Sequence, residues 1–275
     1  MSYHKEFIKN GERLNGRKLS ELRVPEVDIG QNGELTISAG DTKIFIKISS
    51  EISKPYDDKP NEGILIINND IDNDILSRIV EKSIRKSNAL DLESLVISTG
   101  KICWIIKIDL NILNFDGNLI DYCILGIMIN LLLYKLPNYD IVDNSIKLYN
   151  LDEKAPISLS ILHIPICFTI SFYNPSTIEM NLKSDEVFEI SLFDADKQEE
   201  DLRDSYMVIT LNSNKEIIQL SKLGGIPINS VEVLKLCEIC YDKAKEMTQW
   251  IKDVVKKEEE KTSDRVKMLA AVDQR

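Results

Sequence analysis

The stretch 119–135 constrains this chain more than any other. It reads LIDYCILGIMINLLLYK and is apolar on nearly every side of a helix. A surface helix keeps a polar face, so a helix without one has to be surrounded by other elements. A membrane would also surround it, but the longest apolar run, Ile124 to Leu133, has ten residues and carries Asn130. A span takes about 20. The segment is therefore expected as the buried central helix of a layered domain, stopped by Pro137.

Material for the layers lies on both sides. Residues 42–48 place Ile44, Ile46 and Ile48 on one face of a strand, with Lys43, Phe45 and Lys47 on the other. Residues 24–30, 33–39 and 63–68 are further extended runs, punctuated by Asn32-Gly33 and Gly40-Asp41, and the four read as an antiparallel meander. A helix over 72–88 puts Ile75, Ile79 and Ser83 on one face, with Leu76, Val80 and Ile84 beside it. Asp72 and Asp74 stand at its start and Arg85 and Lys86 at its end, as the helix dipole favours. Strands are expected at 94–99, 101–113, 145–149 and 162–173. A short helix over 2–14, capped by Ser2, opens the chain with Phe7, Ile8 and Leu14 on its apolar side.

After residue 173 the pattern weakens, and 174–189 is expected as a connection or insertion. Residues 188–193 form a strand, and 206–211 and 216–220 a hairpin around Asn212-Ser213-Asn214. Between them lie Asp194, Asp196, Glu199, Glu200, Asp201 and Asp204, which read as a solvated acidic loop. Gly224-Gly225 lead into a long helix over 230–256. The expected organisation is α+β: a first unit over 1–186 (N-terminal helix, mixed sheet, buried helix), a smaller second unit over 187–256, and a charged tail over 257–275, frayed or disordered.

Charge narrows the partners. The 275 residues hold 34 Lys and Arg against 45 Asp and Glu, a net charge of −11. That argues against nucleic acid gripped over the whole surface and leaves room for a local basic patch. The five cysteines, Cys103, Cys123, Cys167, Cys237 and Cys240, are scattered and mostly inside apolar runs, so they read as reduced and buried. Cys237 and Cys240 have CxxC spacing within a helical pattern, without a second such pair and with only His4 and His163 as histidines. No metal site and no cofactor is expected. The N-terminus has no apolar region of the signal-peptide kind, and a cytosolic or nuclear setting is expected.

Several motifs resemble RNase PH-type proteins. Asn15-Gly16-Arg17-Lys18 followed by Glu21-Leu22-Arg23 looks like their DGR…E.R opening, and Ala39-Gly40-Asp41-Thr42 like their G.T.V turn. The stretch 109–118 is similar to the segment entering their buried helix, and Gly224-Gly225 to the glycine pair before their last helix. The resemblance runs over residues 11–255. Within the family, Glu93-Ser94-Leu95-Val96, Gly100-Lys101, Trp104, Asp109-Leu110, the run 116–121, and Pro156 to Ile161 followed by His163 and Pro165-Ile166-Cys167 resemble one branch: the polymyositis/scleroderma-autoantigen type of eukaryotic exosome ring subunit. The implied structure is the RNase PH fold, α+β with two βαβ-type halves, the first similar to the second domain of ribosomal protein S5.

The resemblance also sets expectations for chemistry. Active members cleave RNA from its 3′ end with inorganic phosphate. Their cradle is a Gly-Gly-Thr-Arg run at the N-terminus of the buried helix, where backbone N–H groups, the helix dipole and Arg meet the anion. The aligned run here is Gly117-Asn118-Leu119-Ile120, followed by Asp121. Leu119 and Ile120 replace the Thr and the Arg, and Asp121 would repel phosphate. Losing one such donor costs about 3 kcal/mol or more in the transition state. Asn118, Leu119, Ile120 and Asp121 are thus the expected degenerate phosphate site, with Asp194 or Asp196 at a residual general-acid position and no catalysis.

Ser83-Ile84-Arg85-Lys86 aligns with an S-L-R at the end of the family's first helix, where Arg contacts RNA phosphates. Arg85 and Lys86, with Lys82 and Arg78 at three- and four-residue steps, are the expected RNA-binding residues. The implied role is a structural subunit of a six-membered exosome ring that threads single-stranded RNA for associated nucleases. The implied partners are other RNase PH-like ring subunits (a heterodimer, then the hexamer), an S1/KH-type cap protein and single-stranded RNA. No membrane contact is expected, and the implied location is nucleus, with nucleolus, and cytoplasm. Two alternatives stay open: an active phosphate-dependent 3′–5′ exoribonuclease, and a sibling inactive subunit of the same ring.

Overall fold

The computed structural model describes residues 7–8, 10–70, 74–142, 145–149, 153–174, 190–225 and 227–272. The first sheet contains β1 (Glu26–Ile29), β2 (Glu34–Ala39), β3 (Thr42–Ser53), β4 (Ile64–Asn69), β5 (Val96–Ser98) and β6 (Ile102–Asn114). Its order is β1-β2-β3-β6-β4, with β5 paired to β6. The expected meander ends at β3. β4 instead runs parallel to β6, with Ile64 opposite Ile105 and Asn69 opposite Leu110. A parallel pair needs a crossover, which helix α1 (Asp74–Glu81) supplies. The sequence hint is the run Ile64-Leu65-Ile66-Ile67, which lacks the alternation of β3.

In β3 the alternation holds: Ile44, Ile46 and Ile48 are buried while Lys43 and Lys47 are exposed. Their partners on β6 are Ile112, Leu110 and Ile108, so the central strands share one apolar face. The second sheet has the order β12-β11-β13-β14, with β11 (Ile166–Tyr173), β12 (Ile190–Phe193), β13 (Ser205–Leu211) and β14 (Ile217–Gly224), all antiparallel. Between the sheets lies α2 (Leu119–Leu133), in contact with β2, β3 and β11 and with α1 and α4 (Ser230–Val272). Every residue of α2 from Asp121 to Leu131 is buried, as an all-apolar helix requires. Gly126 allows the close approach, since a Cβ there would collide with the Ile46 side chain. Asn130, polar inside this helix, donates its amide to the Gly33 and Ile46 carbonyls.

Other expectations shift. α2 ends at Leu133, before Pro137: Tyr134 is extended and donates its N–H to the Asn130 carbonyl at 2.8 Å. The chain then enters β7 (Lys135–Leu136), which pairs with β10 (Ile157–Ser158), and the hairpin of β8 (Tyr139–Val142) and β9 (Ser145–Leu148). β11 belongs to the second sheet, so the sheets divide the chain well before residue 186. An all-apolar strand does not announce which sheet it joins; the register of Ile166 opposite Leu211 through Phe172 opposite Ser205 decides it. The expected insertion lies outside the described residues except for Asn174. So does the Ser2 cap.

At the N-terminus helix is present at Phe7–Ile8, and Gly11 then turns the chain at φ +80°. Ile8 is buried against Tyr173, Leu192 and Ala195, whereas Leu14 is exposed. α4 continues past the expected end at 256. Residues 257–272 contain no Gly or Pro to stop a helix, and Lys256–Glu260 and Glu258–Lys261 pair along it. Cys103, Cys123, Cys167 and Cys240 are buried, Cys237 is half-buried, and all five are free. Among the described residues no helix is long and apolar enough to cross a membrane.

Candidate functional site

The acidic run after β12 is not a solvated loop. Asp196 caps α3 (Lys197–Leu202): its Oδ1 accepts from the Glu199 N–H, and the Glu199 carboxylate accepts from the Asp196 N–H, both at 2.9 Å. Asp194 is 1% exposed and Glu199 is 3% exposed. Buried carboxylates must find partners, and here they are arginines of the N-terminal segment. Arg13, itself buried, clamps both oxygens of Glu199 and donates to the Phe193 and Asp194 carbonyls.

Asp194 receives more. Its carboxylate accepts from Arg17 Nη1 at 2.9 Å, the Arg23 backbone N–H at 2.6 Å, Arg23 Nη2 at 2.7 Å, Asn118 Nδ2 at 2.8 Å and the Tyr122 hydroxyl at 3.1 Å. Burial alone would raise its pKa, but the hydrogen bonds and charge of Arg23 overcome that and hold it below the ordinary value. Arg23 also donates to the carbonyls of Ala39, Asp116 and Gly117, closing the β2–β3 turn and the β6–α2 link onto the same point. This explains the spacing of Arg17 and Arg23: they meet one carboxylate across the fold. Asn118 and Asp194, which bond each other, both hold left-handed backbones at φ +57° and +50°, a conformation few non-glycine residues adopt. Gly117 leaves the room, because a Cβ there would collide with the Ala195 carbonyl oxygen.

The expected phosphate segment sits at this junction. The Asn118 N–H, at the start of α2, donates to Glu200 Oε1 at 3.2 Å, and Glu200 is also bonded by Arg203 Nη1 at 3.0 Å. Burial raises the Glu200 pKa despite these partners. Leu119 and Ile120 line a cavity of about 210 Å³ with Ile75, Leu76, Phe115, Glu200, Arg203 and Tyr206. Asp121 departs from expectation. It points into the core, accepting from the Thr169 N–H at 2.9 Å and the Thr169 hydroxyl at 2.7 Å, and it does not line the cavity. One step along a helix turns the side chain by about 100°, which carries position 121 from the mouth to the β11 side. Burial pushes its pKa up to about 7, with the Thr169 bonds opposing.

The cationic segment is built differently. Residues Lys82–Lys86 form a π-helical turn after α1, with Ser83 and Ile84 buried. Ser83 Oγ lies 3.2 Å from Thr210 Oγ1, and the Ser87 hydroxyl donates to the Ser83 carbonyl at 2.6 Å. Arg85 and Lys86 are exposed and line one cleft of about 660 Å³ with Lys59, Glu62, Glu81, Asp91 and Glu93. Arg78, exposed on α1, and Lys82, half-buried, do not line it. Sequence reasoning gives Arg13 and Tyr122 no role, and it names Glu200 only as one member of the acidic run. The signal available was the set Arg13, Arg17 and Arg23, too many cations for a segment read as a short helix and turn.

Comparison with known proteins agrees with this architecture. Residues 21–137 match the 3′ exoribonuclease family, domain 1, and residues 163–243 match its domain 2, which begins just ahead of β11. The exosome complex component RRP45 of Saccharomyces cerevisiae is 36% identical over 283 residues, 97% of this chain and 93% of that protein. The protein of the same name from Homo sapiens is 29% identical and is covered over 56% of its length. An archaeal exosome core superposes with a TM-score of 0.73 at 24% identity, over 91% of this chain and 95% of that one. The Archaeoglobus fulgidus exosome with RNA bound to the active site superposes with 0.72 at 23% identity, over 90% and 95%. With two sheets flanking one buried helix and both family domains matched in order, the chain belongs to the 3′ exoribonuclease family of RNase PH proteins.

Proposed function

We propose that the chain is a non-catalytic subunit of the six-membered RNase PH-like ring of the RNA exosome, where it helps to thread single-stranded RNA towards associated nucleases. The observation that carries the absence of catalysis is the Asn118 N–H bonded to Glu200. A helix N-terminus of this kind is where inorganic phosphate would be held. Here it meets the protein's own carboxylate, and Leu119 and Ile120 supply no donor beside it. Asp194 is saturated by Arg17, Arg23, Asn118 and Tyr122. A carboxylate held ionised in this way is a poor proton donor near neutral pH.

Ring membership is supported by the near full-length similarity to the yeast exosome component and by the exosome-core fold. Other ring subunits and RNA are the partners this favours. A heterodimer with a ring subunit of the catalytic type, contact with an S1/KH-type cap protein, and residence in nucleus, nucleolus and cytoplasm belong to the same proposal. Co-purification tests assembly, with other RNase PH-like subunits as the expected companions. Diphosphate release from 3′-labelled RNA, with and without phosphate, tests catalysis. The expected result is no phosphate-dependent release, and clear turnover by the unmodified chain would overturn the proposal.

A further inference from the structure

Arg85 stands between two clefts. One is the charged cleft it shares with Lys86. The other, of about 270 Å³, lies between β4 and α1; Leu65, Ile67, Val80 and Leu110 give it an apolar part, and Tyr56, Asn69, Ser77, Glu81 and Arg85 line it as well. Leu65, Val80 and Leu110 are core residues, but Tyr56 is 53% exposed and packs into neither hydrophobic cluster. The core has no use for this ring, yet its loop is pinned. Pro55 is buried, the Lys59 N–H donates to the Tyr56 carbonyl at 3.0 Å, and the Gly100 N–H donates to the Pro60 carbonyl at 3.0 Å. An exposed aromatic ring on a pinned loop, beside a partly apolar cleft with a guanidinium in its lining, is an arrangement that single-stranded nucleic acid sites use: bases stack on the ring and cations follow the backbone.

We propose that this cleft takes one unpaired base of single-stranded RNA, stacked on Tyr56, while Arg85 and Lys86 hold the adjoining phosphates. The proposal rests on the RNA-threading role argued above. Lys86 makes no ion pair among the described residues. Arg85 pairs with Glu81 at 3.5 Å and Lys59 with Glu62 at 2.7 Å, all four side chains at least partly exposed. Exposed pairs of this kind contribute little, so exchanging a carboxylate for a phosphate is not costly. The carboxylates Glu62, Glu81, Asp91 and Glu93 line the larger cleft too and repel phosphate, so only the phosphates next to the base are placed beside Arg85 and Lys86. Every base has a π face, so the slot accepts any sequence, as threading demands.

The test uses the ring assembled from this chain and its partner subunits, with affinity for a single-stranded oligonucleotide measured at two salt concentrations. Tyr56→Ala is expected to weaken binding about tenfold, the loss of one stacked base, and Tyr56→Phe to stay within about twofold. The salt dependence should be unchanged by Tyr56→Ala and reduced by Arg85→Glu, because only the second removes a phosphate contact. Sedimentation of each variant ring confirms assembly. Unchanged affinity for Tyr56→Ala beside a weakened Arg85→Glu overturns the base slot and leaves the threading role standing. If neither variant weakens binding, the threading role falls and the slot with it.

Discussion

Arginines and carboxylates meet at the N-terminal junction and at the end of α1, and the two places differ in how much water they keep. At the junction of the N-terminal segment with the second sheet, Asp194 is enclosed by Arg17, Arg23, Asn118 and Tyr122, and its side chain is 0% exposed. At the end of α1, Arg85 and Glu81 face each other across 3.5 Å with side chains 45% and 43% exposed. The Asp194 carboxylate is saturated, so the buried set fixes architecture. The exposed pair contributes little to stability and keeps its donors available. The same residue types thus serve as a clamp in one place and as a candidate contact in the other, and the difference is burial.

The largest expected effect breaks the clamp. Asp194→Ala strands Arg17 and Arg23 in the interior, and removing one partner of a buried pair costs about 3–5 kcal/mol. Urea unfolding of the chain in its assembled or isolated form would measure it. A loss of well under 1 kcal/mol would show that the arginines find water, and that the junction is not a structural anchor.

Reversing the exposed cations should do the opposite. Arg85→Glu with Lys86→Glu is expected to leave unfolding within about 0.5 kcal/mol of the parent, as for most surface changes. RNA protection by the assembled ring should fall, most at low salt. Unaltered protection would reduce these residues to helix-end charges.

A smaller effect separates the clamp from the core next to it. The Asp121 pKa of about 7 in the folded chain lies above its ordinary 3.8. The folded state therefore binds this proton more tightly, and the contribution of Asp121 to stability declines as pH rises from 3.8 to about 7, then levels off. Asp121→Asn removes that slope, so stability–pH curves for the two proteins should converge towards low pH in shape and separate across this window. Parallel curves would show that Asp121 is ionised throughout.

The smallest expected effect is on catalysis. Leu119→Thr with Ile120→Arg restores the donor types of a phosphate cradle, yet Glu200 still caps the start of α2 and meets the new Arg beside it. Phosphate-dependent diphosphate release is expected to stay at background in a ring whose other subunits are inactive. Measurable turnover would show that two side chains alone separate this site from an active one.

Much of this fold was legible. The all-apolar 119–133 helix demanded a buried position, and the 2-residue period of 42–48 assigned the faces of β3. The resemblance to RNase PH-type proteins pointed to Arg17, Arg23, Arg85 and the 117–120 run. The acidic run was misread because charge density alone resembles a solvated loop, and only partners distant in sequence, Arg13 and Arg23, reveal that Asp194 and Glu199 are inside. Asp121 was misread because a helix N-terminus suggests an outward side chain, whereas β11 offers it Thr169 from 48 residues away.

The sequence by itself determined what local periodicity and chain stiffness control: the type of the strongly periodic segments, which of their faces are apolar, and that the Leu119 and Ile120 side chains bring no hydrogen-bond donor. Tertiary structure decided what depends on pairing at long range. It made β4 parallel to β6, placed β11 in the second sheet, turned Asp121 into the core, and left Arg85 and Lys86 on one cleft while Arg78 and Lys82 fell outside it. The physical reason is that a charge or an apolar strand has the same local signature wherever it sits. Its energy is set by the water removed and the partner supplied, and both come from other parts of the chain.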